Sequence, residues 1–205
     1  MIKAVFFDFG GVILASPFEA FRRYESTNRL PENFIRELNA AEPHTNAWAR
    51  LERNEITGDE FDMAFAAESE RRGHRVPGRD VLALLSGQVR PEMVVALDRV
   101  IDAGYTTACL TNNVVGGDPR PDVAAVMARF EFVLESSKVG VRKPEPEFYE
   151  LACRLADVQP SECVFLDDLG VNLKPAATMG MTTIKVTSAG QAITDLERVL
   201  GITLR

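Results

Sequence analysis

Residues 4–14 read Ala-Val-Phe-Phe-Asp-Phe-Gly-Gly-Val-Ile-Leu, an apolar run broken by one carboxylate, Asp8, and then by two glycines. A charged group among apolar neighbours is costly unless something pairs with it, so Asp8 is marked either as a capping group or as a reactive one. A single carboxylate at a strand end can attack phosphorus or hold a hard metal ion. The glycines behind it permit a tight turn of the backbone.

Working outward, five short runs rich in β-branched and aromatic residues read as strands, at about 3–8, 106–111, 131–134, 163–167 and 182–187. Each is apolar on both faces, which predicts a parallel sheet covered by helices on its two sides. Helical spacing separates the last four. Met93, Leu97, Val100 and Ile101 share one face, with Gly104 as terminator. Phe148, Leu151, Ala152 and Leu155 repeat the pattern, and Ile193, Leu196 and Leu200 do so near the end.

The stretch from 16 to 88 differs. It contains no convincing strand and several helix starts, among them Ser16-Pro17-Phe18-Glu19 and Thr57-Gly58-Asp59-Glu60, both of which match the capping box. It is too long for an ordinary crossover. The expected architecture is therefore an α/β core, residues 1–15 and 89–205, with a doubly wound parallel sheet and a helical cap, residues 16–88, inserted after the first strand. The cap aromatics Phe18, Phe21, Tyr24, Phe34, Trp48, Phe61 and Phe65 have core spacing and do not indicate a lipid pocket.

A sheet of this kind binds its ligand outside the carboxyl ends of its strands. The residues found there are Asp8, Thr111-Asn112-Asn113 and Asp167-Asp168, polar groups from three separate strands. Two adjacent carboxylates repel each other unless a cation is present. Mg²⁺ suits such oxygens, needing only one or two carboxylates besides substrate phosphate and retained water.

Composition narrows the partners. The 205 residues carry a net charge of −7 and 46% hydrophobic residues, which suits a core domain plus a modest insert and leaves no basic tract to follow a nucleic-acid backbone. Arg71, Arg72, His74, Arg75 and Arg79 are diluted by Glu68, Glu70 and Asp80 and read as a solvated face. Cys109, Cys153 and Cys163 lie in apolar stretches without metal-ligand spacing, as buried reduced thiols of a cytoplasmic protein do. No apolar run is long enough to span a membrane, and Asp8 interrupts the amino-terminal run that would otherwise resemble a signal peptide.

Four pieces in order carry a family resemblance: Asp8-Phe9-Gly10-Gly11-Val12, Leu110-Thr111-Asn112-Asn113, Gly140-Val141-Arg142-Lys143-Pro144-Glu145-Pro146, and Phe165-Leu166-Asp167-Asp168-Leu169-Gly170-Val171-Asn172-Leu173-Lys174. The chain resembles the haloacid dehalogenase superfamily of hydrolases over nearly its whole length. Within it, the likeness is to the amino-terminal phosphatase domain of soluble epoxide hydrolases and similar bacterial proteins. The segment Trp48-Ala49-Arg50-Leu51-Glu52-Arg53-Asn54-Glu55-Ile56-Thr57 resembles that group's cap helix. The resemblance implies a Rossmann-like core and a Mg²⁺-dependent phosphatase acting on a small phosphorylated metabolite. Asp8 would be the nucleophile and a metal ligand, with the Gly10 carbonyl as a main-chain ligand. Thr111 and Asn112 would contact the phosphoryl group, and Lys143 would neutralise charge on it and on Asp8. Asp168 would ligate the metal directly, and Asp167 would ligate it or orient Lys143. Asn172 would face the same site from the following helical turn.

The chain departs from the family pattern at Gly10. Most phosphatases of this superfamily carry an aspartate there that protonates the leaving oxygen, help worth about 10²–10⁴-fold. His44 in the cap is a candidate substitute and His74 a weaker one, and a leaving group such as a sugar 1-phosphate or acyl phosphate needs less assistance. Two other functions compete with the phosphatase. One is a metal-free 2-haloacid dehalogenase, which the Asp167-Asp168 pair argues against. The other is a non-catalytic or very slow protein that binds a phosphorylated ligand, which Gly10 favours.

Overall fold

The computed structural model describes residues 1–116 and 119–205. Five parallel strands form one sheet: β1 (Ala4–Phe7), β2 (Thr106–Thr111), β3 (Phe132–Glu135), β4 (Cys163–Asp167) and β5 (Thr182–Lys185). Their order is β3-β2-β1-β4-β5. Each falls within two residues of an apolar run read from the sequence. The chain winds outward from β1 to β3 and then returns to place β4 on the other side of β1. The reversal of winding therefore lies between β1 and β4, where such sheets hold their ligands. Asp8 directly follows β1, and Asp167 is the last residue of β4.

Between β1 and β2 lie α1 (Phe18–Thr27), α2 (Phe34–Ala40), α3 (Ala47–Glu52), α4 (Gly58–Glu70) and α5 (Gly78–Ala83), followed by α6 (Pro91–Asp102). The rest of the chain supplies α7 (Pro121–Met127), α8 (Ser136–Val139), α9 (Pro146–Leu155), α10 (Gly170–Thr178) and α11 (Ala189–Leu200). Strand side chains alternate between the two faces of the sheet. Val5 and Phe7 pack with Met93, Leu97 and Val100 of α6 and Ile193 and Leu196 of α11. Ala4 and Phe6 pack with Phe148 and Ala152 of α9 and Leu173 and Ala176 of α10. The central strands β1, β2 and β4 are buried on both faces, which is why they read as continuous apolar runs. The edge strands β3 and β5 are partly exposed, contrary to the expectation of two covered faces for every strand.

The face of α9 is rotated from the expected one. Phe148, Tyr149, Ala152 and Cys153 are buried, whereas Leu155 is exposed. Tyr149 can go inside because its hydroxyl donates to the Asn172 carbonyl at 2.6 Å and its ring meets Phe165 edge-on.

Helices α1–α5 surround a third cluster of their own, with Phe21, Ile35, Leu51, Phe61 and Phe65 at its centre. The Thr57–Glu60 capping box forms at the start of α4. The one expected at Ser16 does not: α1 begins after Pro17 without a side-chain cap, and the Ser16 hydroxyl is used elsewhere. The chain enters and leaves this helical stretch side by side. Leu14 and Val89 form an isolated antiparallel bridge, supported by Ala15 N–H to the Gln88 carbonyl and Arg90 N–H to the Ile13 carbonyl. The three cysteines are buried free thiols. Among the described residues no helix is long and apolar enough to cross a membrane.

Candidate active site

The turn after β1 is built by its glycines. Gly10 has φ −69° and ψ 131°, and Gly11 has φ 76° and ψ −13°, the pair of conformations found in a type II turn. Gly11 thus occupies the left-handed region, and a Cβ there would lie 2.2 Å from Asp168 Oδ2. Both conformation and space exclude a side chain at position 11. At Gly10 the conformation is ordinary, and a Cβ would meet nothing within 4 Å. Arg90, at the start of α6, secures the turn from outside by donating from Nη1 to the Gly11 carbonyl at 2.9 Å.

Asp8 is held by its backbone N–H to the Leu166 carbonyl of β4, and its Oδ1 accepts from the Phe9 amide at 2.7 Å. Lys143 reaches in from the segment between α8 and α9, its side chain only 1% exposed. Its Nζ lies 2.7 Å from Asp8 Oδ1 and 2.8 Å from Asp167 Oδ2. Asp167 is completely buried and fully engaged. Besides Lys143 it accepts from the Leu169 amide and, on both oxygens, from Asn172 Nδ2. It lies in the acidic cluster by distance but acts as the anchor of Lys143 and Asn172. Asp168 is met by the Ser16 hydroxyl at 3.4 Å.

Carboxylate oxygens of Asp8, Asp167 and Asp168 come within 4.8 Å of one another. Three carboxylates face one ammonium, so negative charge is left over in a buried place. The acidities register this. Burial pushes the Asp8 carboxyl up despite the compensating charge of Lys143, and Asp167 and Asp168 add to the rise. Burial, followed by the charge of Asp167, raises Asp168 to about 6. Burial works against the Lys143 ammonium, yet Asp167 and Asp8 together hold it above the ordinary lysine range. A compact set of hard oxygens with surplus negative charge fits a divalent cation such as Mg²⁺.

The remaining expected residues gather at the same sheet edge. Thr111 ends β2, two residues beyond the Phe7–Cys109 pair, and its hydroxyl makes no hydrogen bond among the described residues. Asn112 follows it, but its amide does not point to Asp8. Oδ1 accepts from the Lys143 N–H at 2.9 Å, and Nδ2 donates to the Lys143 carbonyl at 2.9 Å and to Glu52 at 3.1 Å. Its side chain therefore clamps the backbone of Lys143. Asn113 turns away to bond Glu135 and Ser137. His44 is exposed on the helical stretch, and its carbonyl receives Arg53 Nη2; His74 lies edge-on to Phe34. No contact among the described residues joins either imidazole to the acidic cluster.

Sequence reasoning did not single out Arg90, Ser16 as a partner of Asp168, or Glu52 as a partner of Asn112. Arg90 carries no local signal, and Glu52 stands out only as one member of the Trp48–Thr57 resemblance. Ser16 carried a misleading one, because a serine three residues before a glutamate matches a helix cap.

The chain is similar to several known proteins. The chain is 36% identical over 207 residues to acyl-CoA dehydrogenase family member 10 of Mus musculus, a match spanning 98% of this chain and 19% of that protein. It is 33% identical over 216 residues to bifunctional epoxide hydrolase 2 of Mus musculus, spanning 98% of this chain and 39% of that one. The chain thus spans only a minor part of each of these relatives. Among solved structures, a HAD family enzyme of Bacteroides thetaiotaomicron in complex with magnesium and inorganic phosphate shares the fold with a TM-score of 0.62 and 21% identity. That match covers 96% of this chain and 99% of that one. An L-2-haloacid dehalogenase from Xanthobacter autotrophicus shares it with a TM-score of 0.59 and 18% identity, covering all of this chain and 85% of that one. The family model for haloacid dehalogenase-like hydrolases matches residues 2–180, from before β1 to the end of the Asp167–Asn172 segment and beyond, and the chain belongs to that family.

Proposed function

We propose that the protein is a Mg²⁺-dependent phosphatase of small phosphorylated metabolites, working through an aspartyl-phosphate on Asp8. The observation that carries this reading is the Lys143 ammonium wedged between Asp8 and Asp167, with Asp168 adding uncompensated negative charge beside them. A dehalogenase needs no metal, and a third, half-buried carboxylate beside the other two would serve nothing there.

In this reading Asp8, Asp168 and the Gly10 carbonyl hold Mg²⁺. Bound there, the ion would supply positive charge that offsets the repulsion between the nucleophile and the phosphate and would polarise the phosphoryl oxygens. Lys143 neutralises further charge on the same oxygens, and the Thr111 hydroxyl donates to one of them. An Asp8 carboxylate oxygen attacks phosphorus, and the bond to the leaving oxygen breaks. Water then hydrolyses the acyl phosphate, releasing inorganic phosphate and restoring Asp8. Gly10 supplies no proton to the departing oxygen, which favours substrates whose leaving groups depart without one. Residues 16–88 form the cap that covers the site and selects the leaving group, on a core of 1–15 and 89–205.

The experiment is phosphate release from a metabolite panel with Mg²⁺ or EDTA, comparing wild type with Asp8→Asn. Release that requires Mg²⁺ and falls at least about 10³-fold in the variant supports the reading. Equal release by the variant overturns it. Gly10 favours one alternative, a protein that binds phosphorylated ligands without turning them over. Tight orthovanadate binding, with no product and no acid-stable label on Asp8, would establish that instead.

A further inference from the structure

Glu52 ends α3 in the helical stretch, is almost entirely buried, and collects three donors from three parts of the chain. Trp48 Nε1 meets Oε1 at 2.8 Å, while Arg142 Nε at 2.5 Å and Asn112 Nδ2 at 3.1 Å meet Oε2. Two of these donors flank the site: Asn112 follows Thr111, and Arg142 precedes Lys143. We infer that Glu52 is a positioning residue for Lys143, acting through the side-chain amide of Asn112; this rests on the phosphatase reading only for its effect on turnover.

The chain of contacts is short. A carboxylate is acceptor-only, so it forces Asn112 to turn its NH₂ toward Glu52. That leaves Oδ1 facing the Lys143 N–H, and the second NH₂ hydrogen meets the Lys143 carbonyl. The flipped amide would set oxygen against two oxygens and leave the Lys143 N–H facing a donor. Both peptide groups of Lys143 are thus registered by one amide, whose orientation and position a residue of the helical stretch reinforces through a third contact. The side chain beyond them ends at Asp8 and Asp167.

A neighbouring ion pair provides the control. Arg53, the next residue, reaches Glu145 Oε1 at 3.0 Å from Nη1 and joins the same two parts of the molecule without touching Asn112. If Glu52 only fastens the helical stretch to the core, losing Arg53 should have the same effect as losing Glu52. If Glu52 orients Asn112, the two differ.

The test compares wild type, Glu52→Ala, Glu52→Gln and Arg53→Ala with p-nitrophenyl phosphate and Mg²⁺, alongside backbone amide exchange followed by NMR. Glu52→Ala is expected to lower kcat at least about tenfold with KM changed less than about threefold. Glu52→Gln, which can still offer an oxygen to Asn112, should recover part of the loss, and Arg53→Ala should stay within about threefold of wild type. The Lys143 amide should exchange at least about tenfold faster in Glu52→Ala, with the α4 amides unchanged. Glu52→Gln keeps the side-chain volume and carries the test if the alanine variant does not fold. Unchanged Lys143 exchange in both Glu52 variants, or an Arg53→Ala variant matching Glu52→Ala in both readouts, overturns the inference. If wild type hydrolyses no phosphate ester, the phosphatase reading falls, and the Lys143 amide alone still decides the role of Glu52.

Discussion

Gly11 and Asp168 are packed so closely that the smallest possible side chain on Gly11 would sit 2.2 Å from an Asp168 oxygen. Two consecutive glycines in this turn therefore have opposite tolerances. Gly11→Ala must strain the left-handed backbone and push Asp168 aside, and is expected to cost about 1–3 kcal/mol. Gly10→Ala has space and an ordinary φ, and is expected to be neutral or to stabilise by up to about 1 kcal/mol by restricting the unfolded chain. Urea denaturation of the two variants checks the contrast. Similar losses from both would show that the turn is not built as described.

The open space at Gly10 also predicts a gain of function. Gly10→Asp places a carboxyl group where the family pattern has one, at a position whose Cβ meets nothing within 4 Å. Turnover of alkyl phosphates, whose leaving groups need a proton, should rise by about 10²–10⁴-fold. Aryl and acyl phosphates should gain far less. A series of phosphate esters graded by leaving-group acidity should give a steep dependence in wild type and a shallow one in the variant. A flat dependence in wild type would mean that a proton donor already operates there.

The surplus charge of the acidic cluster makes metal binding visible in stability. Asp168 is raised to about 6 in the fold, and Asp8 is raised as well. As pH climbs from the unfolded carboxylate range, near 4, the unfolded chain gives up these protons first while the native state still holds them. The stability these two groups contribute is present at low pH and is lost as pH passes their folded values. Mg²⁺ bound at the cluster would replace the protons, so its stabilising effect should grow with pH. At a hundredfold excess over Kd the gain is about 2.7 kcal/mol, or ~5–10 °C for a chain of this size. Thermal unfolding with Mg²⁺ and with EDTA at pH 5, 6.5 and 8 measures the difference. Asp168→Asn should abolish most of it, and an equal shift at all three values would count against this cation site.

Glu25 offers a control remote from the acidic cluster. It is 2% exposed and accepts the Asn33 and Ile35 amides at 3.0 and 2.9 Å, satisfying donors at the start of α2. Glu25→Ala should destabilise by about 1–3 kcal/mol through the donors left unpaired. The shift caused by Mg²⁺ should stay intact. Loss of the Mg²⁺ response in this variant would mean that the helical stretch and the cluster are coupled far more broadly than through Glu52.

The sheet was legible because its central strands are buried on both faces, so that short runs such as Val164-Phe165-Leu166 stand out without any periodicity to interpret. The strand-end carboxylates were legible for the same reason, being charges at the edges of apolar runs. What escaped depended on contacts between distant parts of the chain. Ser16 bonds a residue 152 positions away, and no local pattern distinguishes that from a helix cap. Asn112 was expected to face the phosphoryl group, and only the folded chain shows its amide occupied by Lys143 and Glu52. The buried face of α9 was shifted because a tyrosine counts as polar until a hydroxyl partner, here the Asn172 carbonyl, is available to it.

The isolated bridge between Leu14 and Val89 has a consequence of another kind. The chain enters and leaves the whole helical stretch through a single doorway, with its two thresholds bonded to each other. A segment inserted in this way can be exchanged for another of different length without rethreading any strand, since the ends it must join are already adjacent. One sheet can therefore carry helical stretches of different length between the same two strands, and only the contacts made across to the sheet edge, such as those of Glu52, need to be rebuilt with each.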